Sequence, residues 1–156
     1  MGERRPRPLV VDTSVAVKFY VVEEGHEDAL EILDAADEGR AELIAPSTIL
    51  AEGFNAIRRQ ERRGILDAED ARNAWDDLLH APIYTYAPED LIERAAELHF
   101  ESGASIYDAL FFALAEESNT VVATADDKLL RRLEGTGHAR LSVSLAEAAR
   151  ILDGNS

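Results

Sequence analysis

Along the chain, short apolar runs alternate with longer stretches in which apolar residues recur every three or four positions. The first run, PLVV, ends in the polar DTS, so it reads as a buried strand whose last residues cap a following helix, SVAVKFYV. EEGHEDALEILDAADEGR carries Ala29, Leu30, Ile32, Leu33 and Ala36 at helical spacing, and Gly39 closes it. AELIAP is a second short strand, stopped by Pro46. Two helices follow, STILAEGFNAIRRQERRG from a Ser/Thr cap to Gly64 and DAEDARNAWDDLLHA from another cap to Pro82. PIYTYA, between Pro82 and Pro88, predicts a third strand. PEDLIERAAELHFESG is a helix with Pro88 at or near its start and Gly103 at its end. SIYDALFFALAEESN opens the next helix. Then come a strand TVVATA, a helix DDKLLRRLEGTG, a short strand near ARLSV and a closing helix SLAEAARILDG.

Strands that alternate with amphipathic helices predict an open, mainly parallel α/β sheet of about five strands, covered by helices on both faces. Parallel strands of this kind bury nearly every side chain. Ligands in such sheets bind where the carboxyl ends of the strands meet the following helix N-termini. The chain shows no internal repeat, low-complexity segment or interdomain linker.

Composition narrows the picture. At 156 residues the chain fits one domain, expected over residues 8–156, with residues 1–7 as a flexible tail. There is no Cys, which excludes disulfides, thiolate metal sites and a cysteine nucleophile and agrees with a cytoplasmic setting. The longest uncharged stretch, LLHAPIYTYAP, has eleven residues, against the about 20 apolar residues of a membrane-spanning helix, so no membrane association is expected. The formal charge of −15 stands against any function that grips nucleic acid by its phosphates.

The chemistry lies in four carboxylates. Asp12 ends the first strand and Asp126 follows VVAT, so the topology sends both to one sheet edge. Glu52 lies early in the helix after the second strand, and Asp108 lies in the first turn of a helix whose next seven residues are apolar. Singly, each has a plain explanation. Asp12 and Asp126 can cap helices, Asp108 completes a Ser-x-x-Asp box with Ser105, and Glu52 can be a solvated helix residue. Jointly they are harder to explain that way. Carboxylates crowded together raise one another's pKa unless a cation neutralises them, and an all-oxygen donor set suits magnesium or manganese.

Several stretches resemble the PIN-domain ribonucleases, the VapC-type toxins of toxin–antitoxin pairs in particular: VVDTSVAVKFYVVEE, AEGFNAI and SIYDALFFALAEESNTVVATADDKLL, in that order. The resemblance runs from about Leu9 to Leu133. It implies a three-layer α/β/α fold and a Mg²⁺- or Mn²⁺-dependent endoribonuclease acting on single-stranded RNA. Its four acids fall on Asp12, Glu52, Asp108 and Asp126. Thr13 or Ser14, Asn55 and Thr124 would orient ligands and water, and Asp127 would serve as a cap or an alternative ligand. A cognate antitoxin and a homodimer are implied as well. Gly53 departs from the family pattern, where a bulkier apolar residue is more usual.

Arg58, Arg59, Arg62 and Arg63 form the one dense basic cluster and are the candidate RNA contacts, set against a plain role complementing the helix end. Arg4, Arg5 and Arg7 are read as tail. Residues 23–38 hold eight acids and no Lys or Arg, a surface that repels RNA or receives a basic partner. Lys18 either reaches the acid site or pairs with Glu23, the second being preferred. The four His residues are read as structural, without a Ser-His-Asp set, and Trp75, Tyr84, Tyr86, Phe100 and Tyr107 as packed. Two rivals remain. A phosphohydrolase with an aspartyl nucleophile wants a second acid two residues after the first, where Ser14 stands, and a non-catalytic PIN-like module would bind protein alone.

Overall fold

The computed structural model describes residues 5–153. Its elements in order are β1 (Arg7–Val11), α1 (Thr13–Lys18), α2 (His26–Asp37), β2 (Ala41–Pro46), α3 (Ile49–Arg62), α4 (Ala68–Leu79), β3 (Ile83–Tyr86), α5 (Ile92–Ser102), α6 (Ile106–Glu117), β4 (Val122–Thr124), α7 (Asp127–Leu133), β5 (Ser142–Ser144) and α8 (Leu145–Leu152). Short 3₁₀ turns at Pro88–Asp90 and Ala139–Leu141 precede α5 and β5.

The five strands form one wholly parallel sheet in the order β3-β2-β1-β4-β5. β1 is central. Its Leu9, Val10 and Val11 are buried, with Val10 opposite Ile44 of β2 and Val122 of β4. After β1 the chain steps outward through β2 to β3, then returns to lay β4 on the other side of β1. The strand order therefore reverses between β1 and β4, and a crevice opens at their carboxyl ends, the usual ligand position in sheets of this kind.

Helix α6 explains how the sheet is covered from below. Ala109 through Ala115 are all buried, so the helix is apolar all round and packs against β1, β2, β4 and α5. Ser105 caps it, its Oγ accepting from Asp108 N at 3.1 Å. Arg94 of α5 ties the pair together on the outside by two parallel bonds to Glu116, at 2.7 and 3.1 Å.

The expected elements are found, with differences that have physical causes. Arg7, placed in the tail by sequence, begins β1 and pairs with Ala41, while residues 1–4 lie outside the described residues. β3 is an edge strand, so Tyr84 and Tyr86 are exposed instead of packed. Phe100, on the outer face of α5, is 84% exposed. Tyr107, in the first turn of α6, is exposed too. Trp75 does pack, meeting Phe54 edge to face at 5.2 Å. Each His makes a structural contact: His26, His80 and His99 bond main-chain carbonyls through Nδ1, and His138 meets Glu101 at 3.1 Å.

Candidate active site

The crevice at the end of β1 is a cleft of about 440 Å³, in the range that admits a small ligand. Asp12, Glu52, Asp108 and Asp126 all line it, with Thr13, Ser14, Asn55, Arg59 and Arg63. The four acids arrive from four elements. Asp12 and Asp126 are there because β1 and β4 are neighbours and each strand ends in a helix cap. Asp12 Oδ1 accepts from Val15 N at 3.1 Å, and Asp126 Oδ1 accepts from Lys128 N and Leu129 N at 3.0 and 3.1 Å. Capping and site-building are thus one arrangement.

Three hydroxyls hold the acids in place. Ser14 Oγ donates to Asp12 Oδ1 at 2.5 Å and accepts from Ala125 N at 2.9 Å, which stitches α1 to the end of β4. Thr124, fully buried, accepts from Asp126 N at 3.0 Å. Thr13 Oγ1 donates to Glu52 Oε2 at 3.2 Å. Glu52 Oε1 is buried and has the Thr48 hydroxyl as its polar neighbour, but the two make no well-formed hydrogen bond. A buried carboxylate oxygen without such a bond is expensive, and it is satisfied by a proton or a cation.

The electrostatics agree. Burial pushes the Asp12 carboxyl up to about 6, against the hydrogen bonds that pull it down, and the charge of Asp108 adds to the rise. Glu52 is raised by burial first and also by Asp108. Asp108 is itself raised by burial and by Asp126, despite its Ser105 bond. Asp108 is therefore the hub, feeling or imposing repulsion on each of the other three acids. It is half-buried, since its turn opens toward the cleft while the following turns enter the core. Among the described residues no three such groups already stand in ligating positions, so the four acids share the cleft without closing on a common point.

Some expected residues fall elsewhere. Asp127 lines a separate cavity with Glu24, Asp28 and Ser144. Of the arginines, only Arg59 and Arg63 reach the cleft. Arg58 pairs with Glu61 and lines the groove between α3 and α4, and Arg62 lines neither. Two further cleft residues, Glu23 and Gln60, were not singled out for the site by sequence. A signal existed: Glu52, Asn55, Ala56, Arg59, Gln60 and Arg63 recur at i, i+3, i+4, i+7, i+8 and i+11, one face of α3.

The model of the PIN domain matches residues 9–135. The chain belongs to the PIN-domain family. Curated relatives of this PIN domain include Ribonuclease VapC3 of Pyrobaculum aerophilum, 30% identical over 80% of this chain and 93% of the relative, and Ribonuclease VapC9 of Mycobacterium tuberculosis, 32% identical over 88% and 97%. Among solved structures, PAE2754 from Pyrobaculum aerophilum superposes with a TM-score of 0.66 at 20% identity, covering 94% of this chain and 97% of that one. A toxin–antitoxin complex from Klebsiella pneumoniae gives 0.60 at 15% identity, covering 88% and 97%. For the PIN domain described here, those two likenesses concern the fold.

Proposed function

We propose that this PIN domain is an endoribonuclease that hydrolyses phosphodiester bonds of single-stranded RNA, and that it is the toxin of a toxin–antitoxin pair. The observation that carries the reading is the convergence of Asp12, Glu52, Asp108 and Asp126 on one cleft, with Asp108 repelling the other three. Relatives bearing the name ribonuclease over most of their length support the substrate class. A structural neighbour solved as a toxin–antitoxin complex supports the partner.

Mg²⁺ or Mn²⁺ fits the donors: every candidate is a hard oxygen, the Asp12, Glu52 and Asp108 carboxyls are raised by burial and by a neighbouring carboxylate, and Glu52 Oε1 lacks a well-formed hydrogen bond. When bound by Asp12, Glu52, Asp108 and Asp126, such an ion supplies a Lewis acid that activates water and neutralises charge at the cleaved phosphate. The chain does the positioning. Ser14 and Thr13 fix Asp12 and Glu52, Thr124 fixes the backbone at Asp126, and Arg59 and Arg63 hold flanking phosphates from α3. Asn55 faces the cleft between them, suited to orient water or a ribose hydroxyl. A homodimer and a cytoplasmic location belong to the same reading. No helix among the described residues is long and apolar enough to cross a membrane.

The test is cleavage of a fluorescent single-stranded RNA with Mg²⁺ or Mn²⁺. Asp12→Asn and Asp126→Asn should each reduce cleavage at least about 100-fold with an unchanged circular-dichroism spectrum, as should chelation of the ion. Full activity in either variant would overturn the nuclease assignment. Calorimetry with Mn²⁺ separates the remaining rival, because a non-catalytic module binds no ion.

A further inference from the structure

The cleft continues past the acids, and its far half has a different character. There Lys18 Nζ contacts Glu23 Oε1 at 3.0 Å, and Gln60 Nε2 donates to Glu23 Oε2, so three residues from α1, the α1–α2 turn and α3 form one chain of hydrogen bonds in the cleft wall. Lys18 and Glu23 are 16% and 18% exposed, so both stay accessible from the cleft. The lysine is held from several sides. Its main-chain carbonyl takes the His26 ring at 2.6 Å, and its methylenes lie against Gly25, where an added Cβ would come within 3.2 Å of the chain. Gly25 has φ +89, a conformation that favours glycine. Such rigidity suits recognition, since little order remains to be imposed on binding.

Charge decides what this half recognises. Arg59 and Arg63 make no ion pair among the described residues, so they are the cations left for phosphates. Lys18 is already neutralised by Glu23, and a phosphate brought to the ammonium would meet that carboxylate. A neutral array of fixed donors and acceptors beside a phosphate track matches a nucleobase edge instead. The groups of the array that reach the cleft are the Lys18 ammonium, one of whose N–H bonds is spent on Glu23, and the two Glu23 oxygens, each with a lone pair beyond the bond it already accepts. One donor group thus stands beside two acceptor atoms. Guanine is the base whose Watson–Crick edge sets one acceptor, O6, beside two N–H donors, N1 and N2. Adenine and cytosine each offer one donor group there, and uracil offers a single N–H between two acceptors.

Resting on the nuclease reading above, we propose that Lys18, Glu23 and Gln60 form a guanine-recognition site that seats the base of a nucleotide next to the cleaved phosphate. The Lys18 ammonium donates to O6, and the Glu23 carboxylate accepts from N1 and N2. Lysine contacts to guanine O6 and carboxylate contacts to exocyclic amines are standard pairings, and single-stranded RNA leaves this edge free to be read.

The experiment uses uridine oligomers carrying one guanosine, adenosine or cytidine at successive positions. The wild type should favour guanosine at one fixed distance from the cut by about 10-fold or more in kcat/KM. Glu23→Gln and Lys18→Met should reduce that ratio to near unity. Glu23→Asp and Lys18→Arg retain charge and the folded state while moving the donors and acceptors, and should reduce the ratio with little change in Tm. A purely structural role for the chain predicts the reverse, a lower Tm with the ratio intact. Absence of a guanosine preference in the wild type, or a preference that survives all four variants, overturns the proposal. The same oligomers bound to the Asp126→Asn protein, followed by fluorescence anisotropy, keep it separable from catalysis. If nothing is cleaved but guanosine-dependent binding remains and is lost in Glu23→Gln, the nuclease reading fails and the base site stands.

Discussion

Asp12 is the residue where the proposed function and stability conflict most openly. Its carboxyl is held at about 6 against an ordinary 3.8, because burial outweighs the bonds from Ser14 and Val15. A raised carboxyl means that the folded state prefers the proton. The stability it contributes is full below pH about 4 and is lost as the pH rises through about 6. In protein stripped of divalent ions, Asp12→Asn should therefore be more stable than the wild type at pH 7.5, by up to about 3 kcal/mol, and equal to it at pH 3.5. Urea titrations at the two pH values measure this, and an Asn variant that is less stable at pH 7.5 would contradict it. Gly53 presents a different conflict. A Cβ there would lie 2.4 Å from Leu78 Cδ2, and Leu78 is buried where α4 crosses α3. Gly53→Ala gains about 1 kcal/mol of helix propensity but overpacks a filled contact at about 1–3 kcal/mol. The expected outcome is net destabilisation of about 1 kcal/mol, read from a lower denaturation midpoint. The four acids were legible in the sequence because each sits beside a strand end or a helix start, positions that topology fixes. The role of Gly53 was not, since the close approach of α4 is a long-range fact that no local pattern encodes.

At the scale of elements, α3 carries the lesson about faces. Four arginines fall within six residues, and read as one cluster they look like a single RNA contact. A helix turns 100° per residue, however, so Arg59 and Arg63 continue the row of Glu52 and Asn55 while Arg58 and Arg62 turn away from it. The structure separates them accordingly, with Arg58 engaged by Glu61 beside the α3–α4 groove. Arg59→Ala and Arg63→Ala should each weaken binding of single-stranded RNA and lower the slope of log affinity against log salt by about 0.7. Arg58→Ala should leave that slope unchanged. Anisotropy titrations over a salt series distinguish the pairs, and equal effects from all the arginines would show that α3 meets RNA along more than one face. The same geometric reading was available for α6, whose unbroken apolar run announced a buried helix. It was less complete for β3 and α5, because a strand's place at the sheet edge depends on the order of pairing. Tyr84 and Tyr86 are exposed for that reason, and Phe100 because it lies on the outer face of α5, although their residue types suggested core.

For the whole molecule, the charge of −15 remains the main obstacle to RNA binding, and its distribution shows how the obstacle is met. The sheet order brings α1, α3 and the ends of β1 and β4 around one cleft, so the unpaired arginines of α3 stand directly beside the acids that a divalent ion would neutralise. Under the proposed function, phosphates would be received locally while much of the remaining surface repels them. The densest repelling surface is α2, where Glu27, Glu31 and Asp34 are exposed and Asp28 is partly so. Because the helix contributes no residue to the cleft, its effect on RNA acts through the field alone. Fields of this kind are screened over about 10 Å at 0.1 M salt and about 3 Å at 1 M. Replacing these four acids by Gln or Asn should raise RNA affinity severalfold at low ionic strength, with the gain fading toward 1 M salt. This differs in kind from losing Arg59, which removes a phosphate contact and flattens the salt dependence. Affinity that does not change on neutralising α2, even at low salt, would show that the field of this helix does not reach the RNA path.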